Sequence, residues 1–561
     1  MLATRPDEAT LQRESKMRTH SHTSGAMSAL RNRSSRALGL AAVVLLLGGP
    51  GLAAQSGGIE ELRTPAEESG FTEYTSYYEM MDYLEDIRAL SPDVRMGIYG
   101  ETRQGRELPY LVFSRPEVTQ GWEAAALDRP VVELHANVHG GERDFRESLL
   151  ILTRELATPG SEANEFLDDM VIIVSPQINP DGFQATERGT RGNSWGLDLN
   201  RDYTRLEHPS IYDWVQNVFQ EWNPHVWVDG HNGGAFPYNL KYQCPGHADP
   251  NQELTRICDE GIFPLIDERL EAEDLRSFFW SRGDEERWSG GATDARISRN
   301  YAGFVNAIGI LFEAPGWQDG DDAARAGHLG YKAVLEYVRD NPDEVMQTVA
   351  DARREAVELG SQVEGDVAVQ MDVEPEDWTV DYLIGQEVDD EMETLEVEDA
   401  PIYKRPVATE TRERPYAYML PRDAEDAVEL LRRHNITVEQ LQEPVTVEVE
   451  AYELLDVSYG SIYNHRSTPI LDLGSDPVTI EQEFPADTYV VPTGQMMGRV
   501  VTHLLEPETD DNLIKWGTMD RWLPLAELEQ AQADNQGTDE PVLVPIYKLM
   551  ERAPLPARII D

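Results

Sequence analysis

Two short runs hold the residue types from which a metal site is built. In "VVELHANVHGGERDFRESLL", from Val131, His139 and Glu142 lie three residues apart across Gly140-Gly141. A bend at two glycines lets an imidazole nitrogen and a carboxylate converge on one point. Those are two of the three ligands of a His₂Glu zinc site, which needs one more histidine and keeps one position for water. Taken alone, H-x-x-E is a weak signal that recurs by chance as a surface pair. "VWVDGH" supplies a candidate third ligand, His231, with Asp229 two residues before it. A zinc-bound histidine gives its second N–H to a carboxylate or carbonyl. The competing reading of His231 is a loop histidine capping the turn before "NGG".

Other dense runs change the balance. "NPDGFQATERGTRGNSWGLDLNRDY", from Asn179, combines a tight Asn-Pro-Asp-Gly turn, Arg188 and Arg191, then Asp198, Asn200 and Arg201. Arginine suits bidentate carboxylate binding and stabilisation of a developing oxyanion. "IGILFEAPGW" leaves Glu313 at the end of an apolar run, where a carboxylate is costly unless it is hydrogen-bonded or functional.

The elements that must position these residues follow from periodicity. "YTSYYEMMDYLEDIRAL" has helical spacing, with Thr75 or Ser76 as N-cap and Glu79 placed for a capping box. "VRMGIYGETRQGRELPYLVFS" alternates and breaks at glycines, as two strands around a turn. "RPVVELHANVHG", "DDMVIIVSPQINPDG", "PHVWVDGH" and "NAIGILFEAPG" read as strands; "DFRESLLILTRELA" and "HPSIYDWVQNVFQEW" read as helices. The alternation predicts an α/β domain with a mixed central sheet and helices on both faces. The candidate residues all fall where strands end, the place where open α/β sheets gather ligands. His135, inside a strand, is expected to be buried. A helix at "LPRDAEDAVELLRRHNI" should stop at Asn435, and "VTVEVEAYEL" and "DTYVVPTGQ" read as strands of a smaller β-rich C-terminal domain.

The domain reading is residues 1–54 leader and over-extended start, 55–72 linker, 73–345 catalytic domain, 346–372 helical and acidic connector, and 373–561 accessory domain. The leader has Arg31, Arg33 and Arg36 before the apolar run Ala37 to Leu47, then "GLAAQS" with small residues for cleavage. That is a secretory pattern too short to span a bilayer comfortably. It predicts export to a periplasmic or extracellular space without stable membrane insertion. A formal charge of −55 repels phosphate backbones and argues against nucleic-acid partners. The two cysteines, Cys244 and Cys258, can either pair in an oxidising compartment or stay free.

Taken together, "HGGE", "NPDGF", "GLDLNRDY", "DGH" and "ILFEAPG", in that order, resemble the zinc carboxypeptidase family of metallopeptidases (the carboxypeptidase A type, M14). "GETRQGRELPYLVFS" is similar to its G-x-S-x-x-G-R strand pair, with Thr102 for the serine. The resemblance implies one Zn²⁺ per chain held by His139, Glu142 and His231, with Asp198 orienting His139. It implies Glu313 as general base, Arg191 (or Arg188) at the oxyanion, and Asn200 and Arg201 on the substrate's terminal carboxylate. Tyr301 is a candidate substrate residue. Gly141 stands where digestive members have an arginine. The C-terminal region resembles extensions of large bacterial members, and Trp516 and Trp522 there read as core residues. The implied activity is removal of C-terminal residues from peptides or proteins with a free carboxylate. The alternatives are a related zinc amidohydrolase acting on cell-wall peptides or N-acyl amino acids, and a non-catalytic binding protein.

Overall fold

The computed structural model describes residues 58–560, apart from 390, 465 and 534–540. The leader expected at Arg31 through Ala54 lies outside the described residues. Among those described, no helix is long and apolar enough to cross a membrane.

The site is carried by an eight-stranded mixed sheet. Its spatial order is Val94–Glu101, Glu107–Phe113, Val171–Ser175, Val131–Ala136, Val226–His231, Ile308–Glu313, Leu240–Gln243 and Ser277–Phe279. The four strands from Val171 to Glu313 in this order run parallel. Each is buried along its whole length, which is why they read as unbroken apolar runs rather than alternating ones. Because they are parallel, their carboxyl ends share one edge. Register brings His231 directly opposite Glu313 and Ala136 opposite Gly230.

Helices complete the layers. Tyr77–Leu90 opens with the expected capping box, Ser76 accepting from Glu79 and Glu79 returning a bond to the Ser76 amide. Asp144–Ala157 follows the Glu142 bend, and Gly320–Asp340 packs beside it, with Ser148 Oγ donating to the Ala324 carbonyl at 2.8 Å. Cys244 and Cys258, 14 residues apart, form a disulfide.

Past the catalytic region, Pro342–Gln362 is one helix. The acidic stretch after Gly385 forms the far end of a long antiparallel hairpin, Asp366–Val388 with Glu391–Glu413. Backbone pairing hides its polar groups, and the alternating charges face water. That hairpin pairs with Trp288–Ser289 of the catalytic region. A seven-stranded sheet and a separate hairpin, Leu454–Tyr463 with Arg466–Leu473, follow. The helix Glu425–Arg433 ends at Asn435, whose φ of +59° is the left-handed stop expected there. One apolar core runs through both regions, joining Tyr203, Trp214 and Trp227 to Tyr418, Leu431 and Trp516. The accessory region therefore shares its core with the catalytic one.

Candidate metal centre and catalytic cavity

Two histidines and a glutamate meet at the carboxyl edge of the sheet. His139 Nδ1 lies 2.8 Å from Glu142 Oε1, His231 Nδ1 lies 2.8 Å from Glu142 Oε2, and the two Nδ1 atoms are 3.2 Å apart. Two ligands each about 2.1 Å from a tetrahedral centre stand about 3.4 Å apart. Both outer nitrogens are occupied: His139 Nε2 meets Asp198 Oδ1 at 3.0 Å, and His231 Nε2 meets Asp229 Oδ2 at 2.7 Å. Carboxylates on Nε2 place that proton outward and turn the Nδ1 lone pairs inward. The donor set, its spacing and its outer partners all fit a zinc ion.

Local sequence explains the convergence. Asn137, at φ +60°, ends the strand Val131–Ala136, and its Nδ2 donates to the His139 carbonyl at 3.0 Å. The Glu142 amide donates to the same carbonyl at 2.9 Å. Gly140 is required for close approach: a Cβ there would lie 2.1 Å from the Gly182 backbone. Gly182 belongs to the Asn-Pro-Asp-Gly turn, where Asn179 Oδ1 accepts from the Gly182 amide and Nδ2 donates to the Val138 carbonyl. Asp181 of that turn takes Thr102 Oγ1 at 2.8 Å and Arg106 at 2.6 Å, so the first strand pair is tied to the metal loop. Asn232 donates its amide to Glu142 Oε2 at 3.2 Å.

Glu313 closes one wall of a cavity of about 200 Å³ that also exposes His139, Glu142, Arg191, Asn200, Arg201, Trp280 and Arg299. Its Oε2 is buried without a hydrogen-bond partner. Gly233 makes the room, since a Cβ there would lie 2.5 Å from that oxygen. Burial, with repulsion from Glu142, pushes Glu313 up to about 8. Burial acts on Glu142 in the same direction, but His139 and His231 outweigh it and hold Glu142 down at about 2. The two carboxylates are thus driven apart, one to remain ionised and one able to exchange a proton.

Arg191 pairs with Asp198 at 2.9 Å and reaches within 3.6 Å of Glu142 Oε1 and 3.4 Å of His139 Nδ1, so it flanks the metal ligands. Arg188 is exposed and outside the cavity. Arg201 lines the cavity with NH1 donating to the Asn200 carbonyl. The Asn200 side chain is engaged within the protein: Nδ2 meets His231 Nε2 at 3.2 Å and Oδ1 accepts the Ser298 amide at 2.8 Å. Tyr301 requires correction. Its helix, Ser298–Phe304, turns the ring away from the cavity into the Tyr203–Trp227 cluster, and its hydroxyl bonds His434 Nδ1 at 2.8 Å. Tyr301 is a packing residue.

Arg299 is a charged cavity residue that the sequence did not single out. It is buried, its Nε has no partner, and NH2 donates to the Ala292 carbonyl. Burial lowers its pKa to about 10 despite Glu313 nearby. The available signal was "SRNY", a basic residue on a short helix of otherwise buried positions leading into the Glu313 strand. His135 is buried as expected, between Glu133 and Asp229, whose charges outweigh burial and raise its pKa to about 9. Among the described residues His247, Asp249 and His503 also cluster. There the His247 Nδ1 lone pair is spent on the Asp249 amide at 3.1 Å.

Comparison with known proteins agrees with this centre. Residues 80–246 match the family model described as zinc carboxypeptidase, a span that includes His139, Glu142 and His231. The matched stretch is a zinc carboxypeptidase domain, and that family is one of zinc-dependent metallopeptidases. Carboxypeptidase 2 of Trichophyton rubrum is 26% identical over 496 residues, covering 81% of this chain and 88% of the relative. Carboxypeptidase 2 of Trichophyton tonsurans is 25% identical, covering 75% and 79%. These long alignments are to fungal proteins, where bacterial relatives were expected. Human carboxypeptidase D is 30% identical over 242 residues, covering 36% of this chain and 18% of the relative. Among solved structures, a metallo-carboxypeptidase from Pseudomonas aeruginosa aligns with a TM-score of 0.39 at 20% identity, covering 49% of this chain and 70% of its own.

Proposed function

We propose that this protein is an exported carboxypeptidase that hydrolyses the C-terminal peptide bond of peptides, with His139, Glu142 and His231 holding one zinc ion. The observation that carries the reading is the joint placement in one small cavity of the inward-facing His₂Glu set, the unpartnered buried Glu313 and three arginines. Zinc, when bound, supplies a Lewis acid that polarises the scissile carbonyl, lowers the pKa of the attacking water and draws Glu313 into its ionised form. Glu313 takes the proton from the water as its oxygen bonds the carbonyl carbon. It returns that proton to the amide nitrogen as the C–N bond breaks. Arg191, beside the ligands, steadies the charge that develops on the carbonyl oxygen. Arg201 holds the terminal carboxylate. Asn200 supports this indirectly, by accepting the Ser298 amide.

Matched peptides with free and amidated C termini test the reading. The account expects turnover of the free form only. Turnover of muropeptides or N-acyl amino acids without peptide trimming would favour the amidohydrolase reading, and no turnover by a zinc-loaded protein would favour a binding role. Export is tested by N-terminal sequencing of the mature protein, with a start near Gln55 expected.

A further inference from the structure

Asp198 is the hub of the site's outer layer. Its carboxylate meets His139 Nε2 at 3.0 Å, accepts the Asn200 amide at 3.0 Å and pairs with Arg191 at 2.9 Å. What holds its backbone comes from far along the chain. At the end of the C-terminal hairpin strand Leu454–Tyr463, Asn464 faces the Asp198 peptide. Its Oδ1 accepts the Asp198 N–H at 3.3 Å, and its Nδ2 donates to the Asp198 carbonyl at 3.4 Å. This two-point contact copies one rung of a β-ladder, using a side-chain amide in place of a backbone.

The hairpin is itself fastened. Arg466 NH1 donates to the Trp516 carbonyl at 3.0 Å, and NH2 pairs with Asp520 at 2.9 Å. Tyr463 packs against Trp516 on one side and Arg296 on the other, with Arg296 bonded to Asp511. Asn464 adopts φ +42°, a left-handed conformation that asparagine tolerates better than most residues. The amide is therefore presented by a braced support.

We propose that Asn464 is a positioning residue for the metal site: by gripping the Asp198 peptide it sets the carboxylate that orients His139 and Arg191. The accessory region, which shares an apolar core with the catalytic one, then completes the outer layer of the catalytic centre. The proposal rests on the carboxypeptidase reading for its kinetic arm and stands apart from it for its metal arm.

The test is Asn464→Gly, which removes the amide while accepting the positive φ without strain. Zinc dissociation constants are read by chelator competition, with kcat and KM on a free-carboxylate peptide and the thermal midpoint alongside. Partners behind metal ligands typically change affinity or activity by about 10–100-fold. Asn464, one step further out, should weaken zinc about tenfold and lower kcat with KM little changed. A double-mutant cycle with Asp198→Ala separates positioning from general destabilisation. If Asn464 acts through Asp198, the glycine change has no further effect on zinc affinity once the carboxylate is gone. Additive losses, or wild-type zinc affinity and kcat in the single variant, overturn the proposal. If the glycine variant does not fold, Asn464→Asp keeps the acceptor and loses the donor. It should weaken zinc by less than the full tenfold, and wild-type affinity and kcat there overturn the proposal equally. A zinc-binding wild type without peptidase activity would refute the functional reading while leaving the metal arm of this test intact.

Discussion

Replacing Asp198 with alanine should weaken zinc binding before it alters the fold. The carboxylate bonds His139 Nε2 at 3.0 Å and Arg191 at 2.9 Å. Burial alone would raise its pKa, but the His139 bond, the His139 charge and Arg191 hold the carboxyl well below its usual range. A hydrogen bond to a charged group contributes about 1.5–3 kcal/mol, which corresponds to about 10–150-fold in an equilibrium constant. The Asp198 side chain keeps 22% of its surface exposed, so solvent screening favours the lower end, about 10–30-fold. The substitution also frees Arg191 from beside the ligands, so kcat should fall even at saturating zinc. Chelator competition gives the affinity, and a free-carboxylate peptide gives kcat. Asp198→Asn, which keeps an acceptor and loses the charge, should fall between. A zinc dissociation constant within about twofold of wild type in the alanine variant would refute the reasoning, since His139 would then be oriented by something else.

Arg201→Ala removes the proposed carboxylate anchor, so KM for free-carboxylate peptides should rise by about 10–100-fold, with amidated peptides still uncut. An unchanged KM would move the anchor to Arg299. His135 carries a pH signature: burial lowers its pKa, but Glu133 and Asp229 outweigh that and push it up to about 9. Its ordinary value is about 6.5, so this stabilisation is complete below that pH and is lost as pH rises through about 9. Thermal midpoints measured in chelator should fall across that window, and His135→Gln should destabilise most at the acid end and flatten the profile. Zinc affinity should fall with acid, because burial lowers His139 but Glu142 and Asp198 outweigh it and hold its pKa up, so protons compete with the metal. Reducing Cys244–Cys258, which spans 14 residues, should cost about 3 kcal/mol and lower the thermal midpoint measurably.

Most of the catalytic half was legible because its signals are local. Unbroken apolar runs such as Ile308–Glu313 become the fully buried parallel strands, and the ligands and the base follow the ends of three of them. Ser76 and Glu79 marked their helix, and Asn435 its stop, through backbone groups a few residues away. What failed were contacts fixed only by tertiary packing. Tyr301 sits in a helix buried on all sides, so nothing in its neighbours told which face met the cavity. Asn200 looked like a free amide because its partners, His231 and Ser298, lie 31 and 98 residues away. The acidic run after Gly385 lacked a burial pattern because both faces of its hairpin meet water, and only its pairing makes it a strand. Asn464 carried no signal at all: its one relevant contact is 266 residues distant.

The central claim is that Glu313 moves the proton at a zinc site built from His139, Glu142 and His231. Mass spectrometry of a peptide incubated with zinc-loaded wild type, metal-stripped protein and Glu313→Gln tests it most directly. The account predicts a ladder of products shortened stepwise from the C terminus for the wild type alone. It also predicts about one zinc per chain in the Glu313→Gln protein, since Glu313 is not a ligand. A Glu313→Gln protein that holds zinc and still yields the ladder at the wild-type rate would contradict it.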